Sequence, residues 1–242
     1  ALPSLYIMKD FLILNEALKY KPDMIVWGVT LRSLADSDQN ASLFLPSQSD
    51  EALYLINRYK LNISTAILQP RTMWDQTLLF NRVNLKNLVI FQADALPWIA
   101  TGVDGRNTAL LQDQVGNNTD PKSIYMLHGS SISPNGLMLD VLNSADSLVY
   151  PVPILIFNEP IFIATGKNSQ QYYDAYYPRM IYDQYRNILA DWARSYHQPY
   201  LDIWDNVSNS DFTDTPFHLS ANGEKQLASI LSPAILKLSC SR

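Results

Sequence analysis

An α/β fold with a mainly parallel sheet between two helical layers is what this sequence predicts. Two observations carry the strands: Met24–Val29 (MIVWGV) and Val152–Phe157 (VPILIF) are continuous apolar runs. Strands that alternate polar and apolar residues have one wet face, whereas unbroken runs belong to strands covered on both faces, as in parallel sheets. The third observation is that segments of helical period separate these runs, the strand and helix alternation that builds such sheets.

The elements follow in order. Residues 3–20 place Leu5, Met8, Leu12 and Ala17 at helical spacing, with Ser4 as a candidate N-cap. Lys21-Pro22-Asp23 is a helix stop and turn before the first strand. Residues 50–59 and 71–85 are expected to be helices, and 88–99 suits strand or helix equally. Residues 101–135 form a loop-rich excursion with Gly102, Gly105 and Gly116 among Asn and Asp. A short helix over 137–148 precedes the second strand, and residues 178–196 make a strongly amphipathic helix with Pro178 near its first turn. PYLDIW (199–204) reads as a short third strand, and residues 220–238 as a closing helix bent or interrupted at Pro233.

Composition narrows the function. The 242 residues are 47% hydrophobic, enough for one sizeable core, so a single domain over 1–242 is expected. Eighteen basic against 23 acidic residues leave a net charge of -5 without like-charge blocks, which argues against nucleic acid or an anionic membrane as partner. No apolar run approaches the roughly 20 residues of a membrane-spanning helix. Cys240 is the lone cysteine, excluding an internal disulfide and a thiolate metal cluster. Asn40, Asn62, Asn117 and Asn206 stand in Asn-x-Ser/Thr triplets, which chance explains as well as glycosylation does. Few lysines and many Tyr, Asn and Asp fit an extracytoplasmic protein. The opening residues carry neither a basic leader nor an initiator Met, and the chain is expected to begin part-way through a longer one.

Ligands of open parallel sheets collect at the carboxyl ends of the strands. Those ends are Gly28–Arg32, Asn158–Pro160 and the segment from Asp202 to His218. His218 follows Asp214 by four positions, where a loop turns into the last helix. A carboxylate bonded to one imidazole nitrogen fixes the tautomer and leaves the other nitrogen to take a proton from a hydroxyl nucleophile. Asp211 competes for the carboxylate role, and Asp214 could instead cap the turn at Pro216.

FTDTPFHLSANGEKQLASIL resembles the closing motif of the SGNH/GDSL hydrolase superfamily, in which an Asp and a following His precede a last helix. KPDMIVWGVTLRSL resembles its middle strand motif, and LPSLYIMKDFLILNEAL the segment before that, with Asp10 leading into a helix. The resemblance implies a flavodoxin-like three-layer esterase, lipase or O-acyltransferase acting on an oxygen ester of a carbohydrate or lipid. It implies a Ser-His-Asp mechanism with His218 as base and Asp214 as its orienter, and needs no metal or organic cofactor. Gly28, Thr30 and Asn158 would then line the oxyanion pocket, Thr30 standing where the family has Asn. Three residues separate Asp214 from His218 where the family has two.

The family's nucleophile lies on a first strand upstream of everything matched, so that strand is expected to be absent here. A missing N-terminal segment or a partner chain would supply the serine. Ser130 in HGSS (128–131), after a short apolar run, is the candidate within this chain. The alternative function is an SGNH-fold interaction or structural subunit without catalysis. Glu159 could line the pocket or be solvated; the aromatic run 171–185 suits packing better than sugar binding. His128 and His197 have no ligand-like partners.

Overall fold

A computed structural model describes residues 6–35, 46–63, 131–165, 169–174, 176–213 and 216–240, with isolated positions between 65 and 96. The chain divides into two compact units, residues 1–39 with 109–242, and residues 40–108. Most of the expected helix at 71–85, of the ambiguous stretch at 88–99 and of the 101–135 excursion lies outside the described residues.

The first unit holds a three-stranded parallel sheet in the order β1-β2-β3, formed by Ile25–Val29, Ile154–Asn158 and Tyr200–Asp202. The mixed α/β class and the parallel sheet are as the apolar runs indicate. β2 is the middle strand and is buried at all five positions, the signature of cover on both faces. Register explains which helix covers which face. Trp27, Ile156 and Tyr200 are neighbours across the sheet, as are Val29 with Asn158 and Asn158 with Asp202. That face meets the helix Arg179–Ser195, whose Tyr182, Tyr185 and Arg186 bond Asn158 and Asp202. The opposite face presents Leu155, Phe157 and Leu201 to Leu227, Ile230, Leu231 and Ile235 of the last helix, Ala221–Cys240.

With these labels the helices run α1 (Ile7–Ala17), α2 (Leu31–Leu34), α3 (Pro46–Tyr59), α4 (Leu139–Val149), α5 (Arg179–Ser195) and α6 (Ala221–Cys240). α1 buries Ile7, Met8, Phe11, Leu12 and Leu14 and packs on α4. Lys21, in the left-handed region at φ 51°, ends the short helical turn after α1, where the Lys-Pro-Asp stop lies. α2 has only four residues, too few for a periodic signal, and a capping box makes it: Thr30 Oγ1 accepts from Ser33 N–H, and Ser33 Oγ accepts from Thr30 N–H. Pro233 lies inside α6, which continues through it to Cys240. In the second unit α3 buries Ala52, Leu55 and Ile56 at helical spacing. Among the described residues no helix is long and apolar enough to cross a membrane.

The polar heart of the first unit is Asn158, wholly buried at the end of β2. Its amide nitrogen donates to Asp202 Oδ1 at 2.9 Å, and its amide oxygen accepts from Tyr185 Oη at 3.0 Å. Arg186 closes the network with two bonds to Asp202 Oδ2, at 2.9 and 2.7 Å, while its guanidinium lies over Trp204. Buried polar groups left without partners cost about 1–3 kcal/mol each. Asn158→Ala should therefore destabilise the protein by about 3 kcal/mol in urea unfolding; a loss under about 1 kcal/mol would mean the network is not what holds β2 to α5.

Candidate functional site

A cavity of about 610 Å³ opens beside β1. Met24, Ile25, Val26, Trp27 and Gly28 all line it. Since successive strand residues point to opposite faces, a lining of consecutive residues means the cavity follows the strand's edge. Hydrogen bonding says the same. Ile25 N–H donates to Pro153 C=O and Val29 C=O accepts from Glu159 N–H, so the odd positions of β1 face β2. By the two-residue period of a parallel ladder, the N–H of Gly28 points to the open edge. Among the described residues nothing pairs there.

Five further segments contribute to the wall. α1 contributes Asp10, Ile13, Leu14 and Ala17; the β1–α2 junction contributes Thr30, Arg32 and Ser33. Glu159 follows β2 directly, Tyr177 precedes α5, and Phe217 and His218 come from the loop before α6. Tyr177 packs against Phe217 with ring centroids 5.7 Å apart, which joins the α5 entry to the His218 loop.

That loop is shaped by its ends. Asp211 accepts bonds from Ser220 Oγ, Asn222 and Gln226, and these partners, Asn222 foremost, hold its carboxyl below the usual range. Thr213 N–H donates to His218 C=O at 2.9 Å, and Ser220 Oγ caps α6 by accepting from Gly223 N–H at 3.1 Å. A Cβ on Gly223 would stand 2.8 Å from the Asp211 carbonyl, so only glycine lets α6 start this close. Asp211, the competitor for the role of histidine partner, thus anchors the helix. His218 is exposed at the cavity rim.

Gly28 is glycine because of Glu159. A Cβ at position 28 would collide with Glu159 Oε1 and stand 2.8 Å from Phe157 Cζ. Part of Glu159 reaches the surface, but its carboxyl lies over Gly28. Loss of water there, then the nearby Asp10 and Glu224, push its pKa up to about 7. Asp10 is raised by burial to about 6 in spite of the bond from Trp27 Nε1, at 3.3 Å. The cavity therefore holds two carboxyls that take up protons near neutrality, a property more common at functional sites than elsewhere.

The residues expected from sequence are distributed as follows. Gly28, Thr30 and His218 line one cavity, with Glu159. Asn158 is not in its wall, because its side chain turns to α5 and Asp202. Ser130 and Asp214 lie outside the described residues. Asp10, Trp27, Arg32, Tyr177 and Phe217 join the site without having been singled out for it. Arg32 alone carried a signal, its place just beyond the first strand's end. No protein-family model, curated protein or solved structure matches the chain. What the coordinates define is the class, an α/β protein with a parallel sheet and a carboxyl-lined cavity at its edge.

The Glu159 shift has a sign. The unfolded chain releases this proton near the ordinary glutamate value of 4.5, whereas the folded protein keeps it to about 7. The stabilisation is full below the unfolded pKa and is lost as pH rises through 7. Unfolding free energy should fall between pH 5 and 8, and Glu159→Gln should reduce that fall by about 2 kcal/mol. Equal pH slopes for the two proteins would place the carboxyl in water.

Proposed function

We propose that this protein is an ester hydrolase or O-acyltransferase of the SGNH/GDSL type, acting on an oxygen ester of a carbohydrate or lipid. The observation that carries the reading is the shared cavity: His218 lines the same space along the edge of β1 as Gly28 and Thr30, about 190 positions earlier, which stand towards the strand's carboxyl end. A serine hydroxyl attacks the ester carbonyl while His218 takes its proton and passes it to the departing alkoxide. Water, or an acceptor alcohol in transfer, then attacks the acyl-serine and gives its proton to His218 in the same way. Asp214 orients the imidazole, and Ser130 or a serine from another segment is the nucleophile.

Two features support the oxyanion side. The Gly28 N–H is directed to the open edge of β1. Thr30 Oγ1 accepts from Ser33 N–H at 3.1 Å, which leaves its own proton to donate. Such donors are each worth a few kcal/mol of barrier. One observation favours the second reading, a binding subunit without turnover: Thr30, where the resembled family has Asn, is tied into a capping box and reaches less far into the cavity.

His218→Ala should lower kcat/KM on a small chromogenic ester by about a thousandfold or more with the fold intact by circular dichroism. A fluorophosphonate should label one serine of the wild type. Unchanged turnover in the variant would refute the assignment of the base, and absence of both labelling and turnover would favour the binding subunit.

A further inference from the structure

We propose that Arg32 and Tyr177 form a carboxylate-binding subsite in this cavity, so that the ester taken there carries a carboxylate on its acyl or alcohol part. The ester chemistry rests on the functional reading above; the binding does not. Arg32 stands at the head of α2 and lines the cavity. Among the described residues its buried Nε has no hydrogen-bond acceptor and its side chain no carboxylate partner, and the Tyr176 ring lies 5.8 Å from the guanidinium carbon. Arg186 and Arg194, by contrast, each meet an aspartate.

Tyr177 repeats the pattern. It is 1% exposed, and its hydroxyl lies near Thr30 and the Arg32 backbone without closing a hydrogen bond to either. Asp174 Oδ1 accepts from Tyr176 and Tyr177 N–H at 2.7 and 3.0 Å and so fixes the backbone that carries both rings. Arg32 and Tyr177 both line the cavity, and each has a buried donor without an acceptor among the described residues, an arrangement that an acceptor from outside the chain would complete. The planar guanidinium fork matches a carboxylate. Asp10 and Glu159 in the same cavity disfavour a dianionic phosphate about twice as much as a monoanionic carboxylate. Since Phe217 touches both Tyr176 and Tyr177, the subsite adjoins the residue before His218.

The test compares p-nitrophenyl butyrate with mono-p-nitrophenyl glutarate, which differ by a terminal carboxylate. Wild type should prefer the glutarate ester by about tenfold or more in kcat/KM, and Arg32→Gln should reduce that ratio by about tenfold while Arg32→Lys keeps part of it. Calorimetric titration with glutarate itself reads binding without turnover: Arg32→Gln should weaken it by about tenfold and Tyr177→Phe by a few-fold. Equal ester preference or equal glutarate affinity in wild type and Arg32→Gln would overturn the proposal. So would inorganic phosphate binding more tightly than glutarate through Arg32, which would reassign the subsite to a phosphoryl group. His218→Ala should lose turnover of both esters and keep glutarate binding, so failure of the reaction and failure of the subsite are read separately.

Discussion

The buried amide of Asn158 is the joint on which this structure depends. It ends the middle strand, bonds Asp202 at the end of β3, and receives the hydroxyl of Tyr185 from α5. Strand ends in a three-stranded sheet have few lateral partners, and an amide can meet donors and acceptors on both sides at once. Arg186 neutralises the aspartate it bonds, so the network is satisfied as well as buried. With Asn158 held on the α5 side, the strand's alternation turns the next residue the other way.

That residue is Glu159, and its direction decides the chemistry of the cavity. The carboxyl comes to rest on the bare Cα of Gly28, in space that any side chain there would fill. Burial and the neighbouring Asp10 disfavour its charged form. In the proposed hydrolase, a carboxyl held near neutrality in this way would be able to give or take a proton, and the exposed imidazole of His218 lines the same cavity. The core network and the electrostatics of the cavity are thus linked through two adjacent residues of one strand end.

Much of this was legible in the sequence. The unbroken apolar runs identify β1 and β2, although only β2 is covered on both faces; in β1 Val26 is exposed along the open edge. The closing helix expected from Ser220 is α6, and the strand-end rule leads to Gly28, Thr30 and His218. The rest depends on long-range partners. Asn158 sits at a strand end like a pocket residue, and only α5, 24 and 27 positions later, reveals that its side chain belongs to the core. Asp211 reads as a candidate partner for histidine until Asn222 and Gln226 are seen to hold it. α2 escaped because its capping box is a four-residue signal without hydrophobic period. Tyr177 hid in a run of tyrosines whose individual burial no local pattern distinguishes.

The most direct test of the joint and of the cavity it shapes is a titration of the Glu159 carboxyl by carbon-13 NMR, assigned through the Glu159→Gln variant. A midpoint near 7 is expected. A midpoint close to the ordinary glutamate value of about 4.3 would contradict it, for the carboxyl would then be in water and not packed over Gly28.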